Sequence, residues 1–230
     1  MIKTVFIDLD DTIFDFRACE SVAISKTLFC FGVDPDDEII ERYSAYNRLQ
    51  WEALERGEIT RDEVLTRRFE LLFDFLGMKI DPRQVQSLYE RNLSMEHIFM
   101  AGAEELLLAL RDSGKYRLYA ATNGIANVQW RRIRESGIER YFDAFFISEE
   151  IGANKPAKEF FDGCFEKIPG FELSEAIIIG DSLTSDILGG KNAGIRTCLF
   201  NPRKKKIMGD IAPDYEIESL SEIIPLLERL

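Results

Sequence analysis

The pattern of apolar and polar stretches along the chain predicts an α/β fold. Short apolar runs, partly β-branched, indicate buried strands. These runs are Thr4–Leu9, Arg117–Ala121, Ala144–Ile147, Ala176–Ile179 and Arg196–Phe200. Helix-like stretches accompany the later runs, at Ala103–Ser113, Ile125–Ser136, Ala157–Lys167 and Thr184–Ala193. Three of these stretches precede a glycine, at positions 114, 137 and 194, where helix C-caps are expected. Strands that alternate with helices predict a Rossmann-like parallel sheet with helices on both faces.

The segment from residue 16 to residue 97 breaks this alternation. It contains no convincing strand pattern, but it contains four helix-like stretches, near Phe16–Phe31, Pro35–Glu55, Thr60–Leu76 and Pro82–Glu96. Capping signals accompany three of them, namely Asp34 before Pro35, Thr60 followed by Glu63, and Asp81 before Pro82. We therefore expect an inserted α-helical domain, residues 16–97, in an α/β core formed by residues 1–15 and 98–230.

The composition is that of a folded, acidic protein. Of its residues, 46% are hydrophobic and 30% are charged, and the formal net charge is −12. General nucleic-acid binding depends on lysines and arginines that neutralise phosphates, so we expect no nucleic-acid partner. A small anionic ligand is compatible with this charge if a local cation offsets it.

The sequence also indicates a soluble, cytoplasmic protein with no membrane partner. No apolar run approaches the ~18 residues of a membrane span, and the N-terminus leads into a strand-like run rather than a signal-peptide pattern. The four cysteines lie far apart, which indicates free, buried thiols rather than a disulfide framework. The single histidine, His97, argues against Ser-His-Asp catalysis and against multi-histidine metal sites. The oligomeric state stays open.

Residues suited to catalysis follow the predicted strands directly. In a doubly wound sheet, ligands bind at the carboxyl ends of the strands. Those ends carry Asp8 and Asp10, then Thr122-Asn123-Gly124, then Lys155, and finally Asp181 and Asp186. In extended backbone, the side chains of Asp8 and Asp10 would project to the same side, roughly 6.5–7 Å apart. Carboxylates from two strands, without histidine or cysteine, form a hard oxygen site that suits Mg²⁺.

The remaining groups suit a phosphate ester. Lys155 and the Thr122 hydroxyl would donate hydrogen bonds to phosphate oxygens. The backbone N–H groups of Asn123 and Gly124 precede a helix, where anions bind. Each motif alone has a plainer explanation, because aspartates cap helices, TNG forms turns and KP marks a helix boundary. Their joint occurrence, each directly after a strand, favours a catalytic site.

These motifs resemble the signature of a known superfamily. The runs DLDDT, TNG, KP and GDSLTSD, in this order, resemble the four motifs of the haloacid dehalogenase-like (HAD) hydrolases, and the helical insert resembles the cap of subfamily I. The resemblance implies that Asp8 is a nucleophile that forms an aspartyl-phosphate. It implies that Asp10 is the general acid and then the general base, and that Thr122 and Lys155 hold the phosphoryl group.

The same resemblance implies a Mg²⁺ cofactor. Its ligands would be Asp8, Asp181 and the backbone carbonyl of Asp10. Asp186 would at most contact these ligands, without binding the metal itself. The dehalogenases of the superfamily lack the acid at the position of Asp10 and need no metal. An acid at this position therefore implies a phosphate ester, whose leaving alkoxide must be protonated.

A closer resemblance is to bacterial nucleotidases that act on pyrimidine nucleoside 5′-monophosphates. It rests on Asn47–Glu70, on Ile147–Phe161 and on the run SDILGGKNAG after Asp181. It implies that the substrate is a small phosphorylated metabolite, a nucleoside monophosphate. Trp51 would stack on the base, or pack inside the helical domain beside Leu54.

Other functions remain open at this stage. Related helical caps also occur in phosphoglycolate and sugar-phosphate phosphatases, and phosphomutases belong to the same superfamily. A binding or regulatory protein that keeps the scaffold without turnover is the non-enzymatic alternative.

Overall fold

A computed structural model describes residues 1–204, 206–207 and 209–230 of the chain. These residues form two compact units, Met1–Asp15 with Phe99–Leu230, and Phe16–Ile98. The first unit contains a parallel sheet with helices, and the second unit, every residue of which is described, is helical.

Four helices build the helical unit. They are α1 (Phe16–Cys30), α2 (Asp37–Glu55), α3 (Arg61–Phe75) and α4 (Pro82–Leu93). Three aromatic side chains from α2, α3 and α4, namely Tyr43, Phe69 and Tyr89, are buried between them. Their ring centroids lie 5.4 to 5.6 Å apart, within the range of favourable ring packing. This aromatic cluster is the centre of the helical core.

A buried chain of hydrogen bonds also links the four helices. The Glu20 carboxylate of α1 accepts from Asn47 Nδ2 of α2 at 2.6 Å. Arg68 of α3 donates to Asn47 Oδ1 at 2.6 Å and to Gln86 Oε1 of α4 at 2.7 Å. Because buried polar groups are costly without partners, these bonds favour one arrangement of the helices.

The predicted capping signals are confirmed at two helices and wrong at one. Thr60 forms a capping box at the start of α3, and Asp81 caps α4. Helix α2 begins at Asp37, so the residue in the capping position is Asp36 and not the predicted Asp34. The Asp36 side chain accepts a hydrogen bond from the Ile39 N–H at 2.9 Å.

A six-stranded parallel sheet, within the described residues, organises the other unit. Its strands are β1 (Thr4–Ile7), β2 (Arg117–Thr122), β3 (Ala144–Ile147), β4 (Ala176–Gly180), β5 (Arg196–Phe200) and β6 (Tyr215–Ile217). Their spatial order is β3-β2-β1-β4-β5-β6, which places β1 between β2 and β4. All strands are parallel, so the carboxyl ends of these three central strands lie at one edge of the sheet.

Helices cover both faces of the sheet, as the sequence predicts. Val5 and Ile7 point to the face covered by α5 (Ala103–Ser113), α6 (Ala126–Ser136) and α10 (Ile223–Arg229). Phe6 points to the opposite face, where Phe161 and Ala193 lie. The helices on that side are α7 (Ser148–Ile151), α8 (Lys158–Phe165) and α9 (Leu188–Ala193). The α/β fold class with a helical insert is therefore confirmed.

Strand β1 is shorter than predicted because the chain turns sharply after it. The N–H groups of Ile13 and Phe14 both donate to the Leu9 carbonyl, at 2.9 and 2.8 Å. Within this turn Asp11 adopts a positive φ of 58°. The strand therefore ends at Ile7, directly before Asp8, and Asp10 forms an isolated bridge with Phe14.

The segments on either side of the insert pair with each other within the α/β unit. Phe14 forms an antiparallel bridge with Phe99, and their ring centroids lie 5.5 Å apart. The Met100 N–H also donates to the Ile13 carbonyl at 2.9 Å. The chain therefore leaves the α/β unit and returns to it at neighbouring backbone positions.

The C-terminal elements β6 and α10 were not predicted. Their sequence signal is a capping box formed by Ser219 and Glu222 just before α10. The prediction of buried thiols is confirmed for Cys19, Cys164 and Cys198 but is wrong for Cys30, which is exposed. None of the described helices has the length and apolar character that crossing a membrane requires.

Replacement of Thr60 by alanine should destabilise the protein by about 1 kcal/mol, because the N–H group of Glu63 loses its side-chain acceptor. Urea unfolding of both proteins would measure this difference. Thr66→Ala is the matched control, since the Thr66 hydroxyl donates to the Asp62 carbonyl inside the helix and caps nothing. Equal losses of stability in the two variants would contradict the capping role.

Candidate active site

Lys155 connects the ends of the three central strands. Its Nζ donates to Asp8 Oδ1 after β1 at 2.7 Å, to the Ala121 carbonyl of β2 at 2.6 Å, and to Asp186 Oδ1 after β4 at 2.6 Å. The Lys155 side chain is almost completely buried, at 1% exposure. A buried ammonium needs such partners, because it would otherwise keep a large desolvation cost.

Three carboxylates lie together beside this lysine. One oxygen from each of Asp8, Asp181 and Asp186 lies within 4.8 Å of the others. The group contains no histidine or cysteine, and such an all-oxygen donor set suits Mg²⁺ rather than a softer metal. The residues present therefore fit a divalent cation of this kind.

The pKa values of the cluster support the same conclusion. Burial raises the pKa of Asp8 well above its usual value; Lys155 opposes this shift, and the charge of Asp186 adds to it. The carboxylates of Asp181 and Asp10 also raise the pKa of Asp8. Burial lowers the pKa of Lys155, but Asp186 and Asp8 more than offset it, so the lysine stays charged. The single positive charge of Lys155 does not neutralise the negative charges of these carboxylates. A further cation would therefore favour the ionised form of Asp8.

The position of Asp186 is fixed by the turn that carries it. Asp186 lies in a π-helical turn, Leu183–Ile187, and its Oδ2 accepts from the Ser182 N–H at 3.1 Å. The residue at the end of β4 is Gly180, and a Cβ there would lie 2.1 Å from Asp186 Oδ2. Only glycine leaves room for this carboxylate beside Lys155.

The two residues after β2, Asn123 and Gly124, form hydrogen bonds to Lys155 and to the Thr122 hydroxyl, respectively. The Asn123 side chain donates to the Lys155 carbonyl and accepts from the Lys155 N–H, each at 2.8 Å. Asn123, predicted to bind substrate, therefore has its side chain engaged by the backbone of Lys155. The Gly124 N–H donates to Thr122 Oγ1 at 3.3 Å, which keeps this turn tight beside the site.

Asp10 contacts two residues that the sequence analysis did not single out. Arg132 Nη1 donates to Asp10 Oδ1 at 2.5 Å, and Gln129 Nε2 donates to Asp10 Oδ2 at 2.8 Å. Gln129 Nε2 also lies 2.8 Å from Thr122 Oγ1. The sequence shows only that the two residues are three positions apart on a predicted helix; their burial on α6 is seen only in the structure.

The remaining predicted residue, Trp51, belongs to the helical unit. It is half-buried on α2, and the guanidinium carbon of Arg61 lies 6.0 Å from its ring centroid. The structure thus brings Asp8, Lys155, Asp181 and Asp186 into direct proximity, with Thr122 and Asp10 linked through Gln129.

Comparison with known proteins identifies relatives of almost the full length of this chain. The family model for haloacid dehalogenase-like hydrolases matches residues 2–194. The HAD-hydrolase YfnB of Bacillus subtilis is 38% identical over 225 residues, which cover 98% of this chain and 95% of YfnB. The crystal structure of YfnB bound to magnesium matches with a TM-score of 0.94 over 98% of each chain.

Two further relatives carry a specific activity in their names. The pyrimidine 5′-nucleotidase PynA of Streptococcus pneumoniae is 36% identical over 227 residues, covering 99% of this chain and 95% of PynA. The pyrimidine 5′-nucleotidase YjjG of Escherichia coli is 31% identical over 223 residues, covering 97% of this chain and 96% of YjjG.

Mg²⁺ should raise the melting temperature of the protein, because the cation offsets the repulsion among the three carboxylates. At one hundred times its Kd, a ligand that binds only the folded state shifts the midpoint by about 5–10 °C for a chain of this size. Differential scanning fluorimetry with and without Mg²⁺ would measure the shift.

Asp181→Asn should remove most of this Mg²⁺-dependent shift, whereas Asp112→Asn should keep it, because Asp112 is exposed on α5 and lies outside the cluster. An unchanged shift in the Asp181 variant would count against a metal at these carboxylates.

Proposed function

The chain belongs to the haloacid dehalogenase-like hydrolases, and on that basis we propose that it is a Mg²⁺-dependent phosphatase for pyrimidine nucleoside 5′-monophosphates. The superfamily resemblance of its motifs is confirmed by the family match and by YfnB. The observation that carries the proposed chemistry is the buried cluster of Lys155 with Asp8, Asp181 and Asp186.

The first displacement forms a bond between Asp8 and phosphorus. A carboxylate oxygen of Asp8 attacks the phosphorus atom, and the bond from phosphorus to the nucleoside oxygen breaks with its electron pair on that oxygen. Asp10 gives its proton to this oxygen, so the nucleoside leaves as a neutral alcohol. The products of this step are an aspartyl-phosphate at Asp8 and the Asp10 carboxylate.

The second displacement restores Asp8. Asp10 takes a proton from water, the water oxygen attacks phosphorus, and the bond from phosphorus to Asp8 breaks with release of inorganic phosphate. Lys155 and the Thr122 hydroxyl donate to the phosphoryl oxygens during both steps. A bound Mg²⁺, held by Asp8, Asp181 and the Asp10 carbonyl, would supply positive charge for those oxygens and for the Asp8 carboxylate.

The nature of Asp10 supports phosphate esters over haloacids. A halide leaves without a proton, whereas an alkoxide is a poor leaving group until it is protonated. The Asp10 carboxyl lies near the Thr122 hydroxyl, because Gln129 Nε2 is within 2.8 Å of both groups. In the proposed mechanism, an acid at this position protonates the departing alcohol oxygen.

The substrate class is supported by the relatives and by the helical unit. PynA and YjjG, both named pyrimidine 5′-nucleotidases, align with this chain through the helical unit as well as the α/β unit. Trp51, half-buried on α2, offers a ring on which a pyrimidine base would stack. The acidic surface of the chain agrees with a small substrate that is bound by local charges.

Asp8→Asn should lower kcat by more than about 10⁴-fold, because an amide is a poor nucleophile towards phosphorus. Release of phosphate from UMP in the presence of Mg²⁺ would measure it. Wild-type protein quenched in acid during turnover should carry one phosphoryl group on Asp8 by mass spectrometry. Asp112→Asn should keep full activity, and substantial turnover by the Asp8 variant would remove Asp8 from this role.

UMP and dTMP should be hydrolysed with kcat/KM values at least about tenfold above those for phosphoglycolate and hexose phosphates. A panel of phosphate monoesters with Mg²⁺ would measure this ratio. Trp51→Ala should reduce the preference for nucleotides and leave p-nitrophenyl phosphate hydrolysis unaffected. A strong preference for phosphoglycolate, or isomerisation of glucose 1-phosphate, would contradict the nucleotidase assignment.

A further inference from the structure

Arg132 is a buried cation that the proposed chemistry does not yet use. It lies on α6 with 0% of its surface exposed, and it is among the largest fully buried side chains of the protein. A buried guanidinium keeps a large desolvation cost unless charged and polar partners surround it. Its position on the sheet-facing side of a helix, where an apolar residue would pack well, suggests that its contacts are the reason for its presence.

Those contacts converge on Asp10. Arg132 Nη1 donates to Asp10 Oδ1 at 2.5 Å and to Gln129 Oε1 at 2.8 Å. Gln129 Nε2 donates in turn to Asp10 Oδ2 at 2.8 Å. Each oxygen of the Asp10 carboxylate thus has its own donor on α6, and the two donors are also bonded to each other.

The arginine contacts the loop after β1 at a second point. Its guanidinium carbon lies 4.7 Å from the centroid of the Phe14 ring, at a distance typical of a cation–π contact. Phe14 is fully buried and its backbone forms a bridge with Asp10. Arg132 therefore holds the loop at both Asp10 and Phe14.

Gln129 connects this arrangement to the phosphate-binding side of the site. Its Nε2 lies within hydrogen-bond distance of both Asp10 Oδ2 and Thr122 Oγ1, at 2.8 Å each. The carboxyl group of Asp10 and the hydroxyl group of Thr122 therefore belong to one hydrogen-bond network.

We propose that Arg132, together with Gln129, is a positioning residue that fixes the Asp10 carboxyl group for proton transfer to and from the leaving oxygen and the attacking water. This inference rests on the proposed phosphatase function. In this role Arg132 acts through Asp10 rather than on the phosphoryl group itself. General acid catalysis depends on placing the acid within hydrogen-bond reach of the departing oxygen, so a freely rotating Asp10 side chain would be a slower acid.

The test compares two leaving groups in the Arg132→Met variant. With UMP, whose leaving oxygen needs a proton, the single-turnover rate should fall at least about tenfold while KM changes less than about threefold. With 2,4-dinitrophenyl phosphate, whose phenolate leaves without a proton, the pre-steady-state burst of dinitrophenolate should keep its wild-type rate. A merely structural role of Arg132 would slow both substrates alike.

A double-variant comparison assigns the effect to Asp10. Asp10→Asn should show the same dependence on the leaving group, and Arg132→Met in the Asp10→Asn background should cause no further loss with UMP. Arg131→Met is the matched control, because Arg131 is the neighbouring arginine of α6 and is exposed. It should behave as wild type with both substrates.

Two milder variants keep the test decisive if Arg132→Met does not fold. Arg132→Lys retains a buried cation and should give an intermediate rate with UMP. Gln129→Leu also removes the contact with Thr122, so it should slow both substrates, but UMP more than 2,4-dinitrophenyl phosphate. Folding is checked by circular dichroism and by the Mg²⁺-dependent melting shift.

The outcomes separate the two hypotheses. A wild-type protein that hydrolyses neither substrate would overturn the phosphatase proposal itself. A phosphatase in which the folded Arg132 and Gln129 variants lose equal activity on both substrates, or lose further activity without the Asp10 acid, would overturn only the positioning role.

Discussion

A single buried ammonium, that of Lys155, holds the catalytic edge of this molecule together. It bonds to groups that follow β1 and β4 and to a carbonyl of β2, so the three central strands share one charged anchor at their carboxyl ends. In a chain with a net charge of −12, this anchor brings carboxylates close together that would otherwise repel. The proposed chemistry depends on the same balance, because Asp8, as the proposed nucleophile, must stay ionised at a site where burial favours its protonated form.

Much of the α/β unit could be predicted from local sequence alone. Continuous apolar runs predict strands β2 to β5, because a parallel strand that is covered by helices on both faces exposes no side chains to solvent. Asp8 and Asp181 could be anticipated because a polar residue directly after a buried strand has few structural reasons to be there. Lys155 does not directly follow a strand as predicted, because α7 lies between β3 and this residue. The Thr60 capping box could be predicted because it is formed by residues only three positions apart.

Features that depend on tertiary contacts could not be predicted from the sequence. Arg132 and Gln129 look like ordinary polar residues of an amphipathic helix until α6 is packed against the sheet and they meet Asp10, more than a hundred positions earlier. The sharp turn after Ile7 depends on the positive φ of Asp11, for which the residue type alone gives only a weak signal. Strand β6 has three residues, too few for periodicity to be recognised.

Because Phe14 pairs with Phe99, the helical insert begins and ends at adjacent backbone positions of the α/β unit. Its two ends are fixed side by side by the α/β unit, so the length and sequence between them can change without shifting the register of any strand. The segment between these two ends can therefore change while Asp8, Lys155 and Asp186 keep their geometry.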